Sequence, residues 1–188
     1  MNEADMIQYH EWLLRRSWKG YLYRRYYLYP RLWRYVRGKT LDVGCGIGDF
    51  IGLTKNSIGA DINKYNVQYC LNKNIDAVLF SNNKLPFDEN SFDCVIFDNV
   101  IEHIYDSNDI LNDAARVLSK GGLMVIGVPV FKHFFHDADH KIYHSKDSMM
   151  NALLVPRMEY ESDFNTPSNS ILKLIFKHTC RWYVYKKT

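Results

Sequence analysis

Two carboxylates bracket a glycine turn in the stretch Leu41-Asp42-Val43-Gly44-Cys45-Gly46-Ile47-Gly48-Asp49. Glycines at the end of a strand let a ligand come close to the backbone. The third glycine comes one residue earlier than in the G-x-G-x-x-G pattern that places a pyrophosphate at a helix N-terminus. The charges separate the ligand classes further. A phosphate beside Asp42 or Asp49 would be repelled by roughly 3 kcal/mol from each, at about 5 Å and an effective dielectric near 20. No lysine or arginine inside the loop offsets this. The expected ligand therefore lacks phosphate and carries positive charge. Asp61, in Gly59-Ala60-Asp61-Ile62, comes 13 residues after Gly48, where a carboxylate can accept both hydroxyls of a ribose. S-adenosylmethionine, with an α-ammonium, a sulfonium and a ribose, meets these demands.

A second set of reactive side chains lies downstream. His133, His136, His140 and His144 follow the apolar run Leu123 to Val128, on the side where a parallel α/β sheet carries its binding loops. His140, oriented by Asp137 or Asp139, is the first candidate for a general base. His103 is the second; its other expected place is beneath the cofactor, with Glu102 as a structural partner. Cys45, Cys70, Cys94 and Cys180 form no C-x-x-C pair and have no zinc-finger spacing. Reduced thiols are expected, and no metal site.

The elements that must position these residues alternate. Thr40–Val43, Ser57–Ile62, Ala77–Phe80, Phe92–Phe97 and Leu123–Val128 read as buried strands, and Asp106–Leu118 as an amphipathic helix ended by Gly121-Gly122. Such alternation predicts an α/β, doubly wound, mostly parallel sheet with helices on both faces. The span from Gly48 to Asp61 leaves room for about two helical turns. Ser145 is expected to cap a helix reaching about Leu154. Met158–Phe164 reads as a strand, Ile171–Phe176 as a helix or strand, and Arg181–Val184 as the last strand.

Residues 6–36 differ in composition. Ten aromatics, from Tyr9 to Tyr35, are interleaved with seven basic residues, from Arg15 to Arg34. Gly20 and Pro30 are expected to break the segment into short helices. It is read as a helical layer packing its aromatics on the domain. The alternatives are a lid over the site, or a surface for an acidic or lipid-linked partner.

In combination these motifs resemble the class I S-adenosylmethionine-dependent methyltransferases, especially the small-molecule branch called methyltransferase-11. The resemblance runs over about residues 39–130. It rests on Leu41–Phe50, on Asp61, on Leu85-Pro86-Phe87 followed by Asn90-Ser91-Phe92-Asp93, on Asn99-Val100-Ile101-Glu102-His103-Ile104, and on Val117–Gly122. It implies a Rossmann-like, seven-stranded sheet with the last strand antiparallel. It also implies that Asp42, Gly44, Cys45 and Gly46 line the methionine end of the cofactor. Asp61 and Ile62 would contact ribose and adenine, Ser81 and Asn82 would flank the adenine, and Asp98 and Asn99 would lie beside the methyl group. Where many relatives carry an acid for the adenine amino group, this chain has Ser81 followed by Asn82 and Asn83. The segment Asp137–Tyr143 resembles one found in relatives that act on sugars and other small molecules.

One domain is expected: residues 1–38 as a helical segment, 39–130 as the cofactor-binding core, and 131–188 as the acceptor-side loop and last strands. The chain has 188 residues and a formal charge of +3, too weak a balance to point to nucleic acid. The N-terminus lacks a signal pattern and the longest apolar run is far short of about 20 residues. A cytoplasmic enzyme is expected, methylating a small-molecule or glycan-like acceptor by in-line displacement at an acceptor hydroxyl or carboxylate. The alternatives are a quinone or lipid methyltransferase touching a membrane peripherally through residues 6–36, and a non-catalytic partner subunit with the same fold.

Overall fold

The computed structural model of the chain describes residues 2–135, 137–152, 157–168 and 179–188. Its strands are β1 (Thr40–Val43), β2 (Ser57–Asp61), β3 (Ala77–Leu79), β4 (Phe92–Asp98), β5 (Leu118–Pro129), β6 (Met158–Thr166) and β7 (Cys180–Lys187). They form one sheet in the order β3-β2-β1-β4-β5-β7-β6. Pairings from β3 through β5 are parallel, and β7 runs antiparallel to both β5 and β6. The order reverses between β1 and β4, so their C-terminal ends open a crevice there. Asp42, Asp61 and Asp98 sit at or next to those ends.

Alternation along β4 divides the core between the two faces of the sheet. Val95 and Phe97 join the cluster under α5 (Asn108–Val117), while Cys94 and Ile96 join the cluster under α3 (Tyr29–Leu32). On α5, Ile110, Leu111, Ala114, Ala115 and Val117 are buried. A buried Ile or Leu stabilises by about 1.5–3 kcal/mol. Gly127 in β5 is required by close approach: a Cβ there would lie 2.7 Å from the Trp182 ring of β7. That ring is fully buried and donates its Nε1–H to Thr166 Oγ1 at 2.8 Å.

Several boundaries differ from the sequence reading. The N-terminal segment breaks at Arg15–Ser17, between α1 (Glu3–Leu14) and α2 (Trp18–Tyr23), and at neither Gly20 nor Pro30. Ser17 caps α2, accepting from Gly20 N–H at 3.2 Å, so this glycine lies inside the helix. Pro30 has no N–H to offer the Tyr26 carbonyl. The helix absorbs this as a π-turn over Arg24–Leu28, in which Tyr29 N–H bonds Arg24 O, and continues into α3. Likewise α5 stops at Val117. Gly121 and Gly122 lie within β5, in an excursion that shifts its register against β4. After the glycine loop there is only a 3-10 turn, Ile51–Leu53, in place of two helical turns. α4 (Lys64–Asn72) follows β2, and α6 (Phe131–Phe134) follows β5. Ser145 caps α7 (Lys146–Ala152) as expected, accepting from Ser148 N–H at 3.0 Å. Leu154, His136 and the Ile171–Phe176 element lie outside the described residues. Among the described residues, no helix is long and apolar enough to cross a membrane.

Candidate active site

The glycine turn leaves β1 and folds back on β2. Gly44 N–H bonds Ala60 O at 2.7 Å, and Gly48 N–H bonds Cys45 O at 3.0 Å. Gly44 has φ +75°, and a Cβ there would meet Val100 Cγ2 at 2.5 Å. Both facts demand glycine at this position. The carboxylate of Asp61 ties the loop to the end of β2. One oxygen accepts from Gly46 N–H at 2.8 Å, the other from Asn63 N–H at 2.7 Å. Burial pushes the Asp61 carboxyl above its ordinary range, and these two bonds pull it back. A carboxylate has about four acceptor sites; with a longer bond from Asn66 Nδ2 at 3.4 Å, three are taken, and Asp61 keeps capacity for at least one hydroxyl.

Asp42 is buried at 3% exposure, and its Oδ1 has no hydrogen-bond partner. Burial, then the nearby Asp98 and Asp61, hold its carboxyl well above the usual range. Such a group is costly unless a cation or donor meets it.

The sequence reading missed what lies over the loop. α1 roofs it: Leu13, 1% exposed, packs its Cδ1 against Gly46, and Asn63 Nδ2 donates to Met6 O at 2.7 Å. His10 Nδ1 sits 2.8 Å from Asn66 Oδ1. Tyr9 is half-buried, with Arg16, Asp61, Asp137 and Glu102 around it, and loss of solvent pushes its phenol up to about 12. Arg16 reaches Asp49 at 3.1 Å, while its Nε is buried without a partner. An unmatched donor and an unmatched acceptor thus lie on either side of one glycine turn. No local motif marks Arg16; only its place after α1 brings it there.

The remaining sequence candidates spread around the crevice. Ile62, Ser81 and Asn82 are exposed beyond β2 and β3. Asn99 has φ +56° and donates to Asp98 Oδ1 at 2.7 Å, while its own Oδ1 takes the Cys180 thiol at 3.2 Å. Cys45 is buried and its thiol turns back to Gly46 O.

Past β4, a 3-10 turn places Ile101, Glu102 and His103 together. Glu102 is fully buried and neither carboxylate oxygen has a hydrogen bond. Burial, then Asp98 and Asp137, push its carboxyl up to about 8. Its backbone carbonyl accepts from Lys141 and Ile142, pinning the 137–142 loop against the turn. That contact sets His140 Nε2 at 4.0 Å from Glu102 Oε1. His140 Nδ1 lies 2.6 Å from Phe134 O. Since a carbonyl only accepts, Nδ1 carries the proton and Nε2 the lone pair. Asp139 orients His103, at 3.1 Å, and makes no bond to His140. The expected pairing of His140 with Asp137 or Asp139 is therefore replaced by Phe134 O and Glu102. Asp139 follows His103 because its neighbour Lys141 draws it outward, at 2.8 Å. His133 and His144 point elsewhere: His133 accepts from Thr179 N–H and His144 faces Ile101 O.

The strand order, the glycine turn and the acid ending β2 coincide with residues 41–126, which match the methyltransferase domain family model. Together these features resemble the class I S-adenosylmethionine-dependent methyltransferases over residues 41–126. The chain is 29% identical over 92 residues to an uncharacterised protein of Methanocaldococcus jannaschii, covering 49% of this chain and 45% of that one. It is 31% identical over 103 residues to a ubiquinone/menaquinone biosynthesis C-methyltransferase of Haemophilus ducreyi, covering 47% of this chain and 40% of the relative. These alignments span less than half the length of either relative. In fold it is similar to a SAM-dependent methyltransferase, possibly a histamine N-methyltransferase, of Thermotoga maritima. That likeness has a TM-score of 0.69 at 18% identity, over 96% of this chain and 95% of the other.

Proposed function

We propose that the chain moves a methyl group from S-adenosylmethionine to a hydroxyl or carboxylate of a small-molecule or glycan-like acceptor. The observation that carries this reading is the unmatched pair around the glycine turn, Asp42 Oδ1 and Arg16 Nε. The donor's amino-acid end offers an ammonium to the first and a carboxylate to the second. Asp61 accepts a ribose hydroxyl, Ile62, Ser81 and Asn82 flank the adenine, and Asp98 and Asn99 lie beside the methyl group. The donor supplies a methyl group already activated on a sulfonium, so the protein's task is alignment. His140 draws the proton from an acceptor hydroxyl through its free Nε2; a carboxylate acceptor needs no base. The name of the Thermotoga neighbour, a SAM-dependent methyltransferase, supports the choice of donor.

The test is a panel of hydroxyl and carboxylate acceptors incubated with methyl-labelled donor and read by mass spectrometry. Label is expected in at least one product. His140→Ala is expected to slow transfer to a hydroxyl by about 100-fold or more while donor affinity holds. Absence of calorimetric binding of S-adenosylhomocysteine at millimolar concentration would defeat the donor assignment.

A second reading places the acceptor in a membrane surface. It draws on exposed rings beside basic residues: Trp12 at 53%, Trp18 at 68% and Tyr26 at 70% exposure, against Arg16, Lys19 and Arg25. Aromatic and basic residues together suit a lipid interface. The resemblance to a quinone methyltransferase points the same way. Liposome co-sedimentation of the wild type against a Trp12→Ala, Trp18→Ala, Tyr26→Ala variant separates the two readings. The triple variant leaves the buried Leu13, Tyr29 and Leu32 in place, which a deletion would remove.

A further inference from the structure

Glu102 is a fully buried carboxylate with both oxygens unpaired. Nothing in the donor reading uses it: Asp42, Asp61 and Arg16 already answer the donor's charges. What faces it is a pair of imidazoles. One donor atom from each of Glu102, His103 and His140 lies within 4.8 Å of the other two. The rings themselves meet edge to face, with centroids 4.9 Å apart.

We infer that Glu102, His103 and His140 form a binding site for one divalent first-row transition metal ion beside the acceptor end of the crevice. The chemistry of the set selects that class: two imidazoles and one carboxylate suit zinc, iron, cobalt or nickel better than magnesium or calcium, which prefer all-oxygen shells. The supporting contacts are those that metal-bound histidines use. His140 gives its Nδ1–H to the Phe134 carbonyl, which leaves Nε2, 4.0 Å from Glu102 Oε1, as its ligand atom. Asp139 holds the His103 ring through Nδ1 at 3.1 Å. Carbonyl and carboxylate partners of this kind fix a ligand ring's orientation. An ion bonded at about 2.1 Å to each ligand would draw the donor atoms to roughly 3.4 Å apart, a side-chain movement from separations of up to 4.8 Å. Asp98 and Asp137 add negative charge around Glu102. Three protein ligands leave coordination positions open.

The role in turnover rests on the methyl-transfer reading. An acceptor hydroxyl at an open position on the ion would be acidified and would release its proton to solvent water. The His140 lone pair then serves as a ligand, and the ion takes over the work of the base. Ion binding itself does not rest on that reading. The ligand spacing is no cue to the site, because His140 comes 37 positions after His103, which fits no short metal motif.

The experiment uses the full chain, untagged, stripped with chelator and titrated with cobalt(II) in the absence of donor and acceptor. Visible d–d bands saturating at one cobalt per chain are expected, without thiolate charge-transfer bands and displaced by zinc(II). Glu102→Gln is expected to abolish the bands. Asp139→Asn is expected to weaken binding by about 10- to 100-fold. A thermal melt checks that each variant folds, and His140→Gln replaces Glu102→Gln if the latter does not. No bands in the wild type at millimolar cobalt, thiolate bands, or a folded variant titrating like the wild type would overturn the site. Calorimetry with S-adenosylhomocysteine on the stripped protein reports separately on the donor reading.

Discussion

Asp42→Asn tests the electrostatics of the donor pocket with two readouts of opposite sign. Asp42 is buried, has an unpartnered Oδ1 and sits near Asp98 and Asp61. In the folded chain its carboxyl titrates well above 3.8. For an acid, a raised folded pKa means stability that is fully present below the unfolded value. That stability is lost as pH rises through the folded value. The ligand-free wild type therefore weakens as pH rises above about 4 relative to a protein with a neutral group here. Asp42→Asn removes that loss, so its melting temperature should exceed the wild type's by a margin that grows above about pH 4. Donor binding should move the other way. An ammonium about 5 Å from the carboxylate, at an effective dielectric near 20, is worth about 3 kcal/mol, or roughly a 150-fold rise in Kd. Differential scanning fluorimetry from pH 4 to 8 and calorimetry with S-adenosylhomocysteine measure the two effects. A variant that melts lower at neutral pH, or that binds the nucleoside as tightly as the wild type, would refute the reasoning.

Asp61→Ala should weaken nucleoside binding by about 1.5–3 kcal/mol. It should also lower the melting temperature, since Gly46 and Asn63 N–H both lose their acceptor; both are read in the same titration and melt. Gly127→Ala places a Cβ 2.7 Å from the Trp182 ring and should destabilise by about 1–3 kcal/mol through overpacking, measured by urea denaturation. Burial raises the Asp113 carboxyl, but its bonds from Arg116 and Leu85 N–H outweigh this and hold it below 3.8. Its stabilisation is present above about pH 4 and fades as pH falls. Asp113→Asn should therefore cost about 1.5–3 kcal/mol at neutral pH and converge on the wild type in acid.

The parallel half of the sheet was legible because its strands are short apolar runs bounded by glycine, asparagine or aspartate. The parallel, doubly wound arrangement of β1 through β5 followed from the β–α alternation and the resemblance. The helix boundaries were less so. Gly121-Gly122 looks like a helix stop, yet Lys187 Nζ caps the Leu118 carbonyl at 2.6 Å from a distant strand, and the glycines serve β5. Pro30 looks like a break, yet a π-turn costs the chain less than parting Leu28, Tyr29 and Leu32 from the core. The grouping of Asp42, Asp61 and Asp98 was readable because all three flank strand ends. Arg16, Tyr9 and Leu13 were not, since only tertiary packing lays α1 across the turn. The His140 environment was half readable: the loop was found, but nearness along the chain suggested Asp137 or Asp139 where the fold supplies Phe134 O and Glu102.

The abbreviated turn after Gly48 changes who greets an incoming acid group. A full helix starting there would aim several amide hydrogens, and the positive end of its summed dipole, into the crevice. Three residues of 3-10 turn muster almost none of that field. On the proposed donor reading, that duty would pass to the Arg16 guanidinium. Clipping the opening segment of the chain with a protease, or raising ionic strength, would then erode ligand retention by the same route.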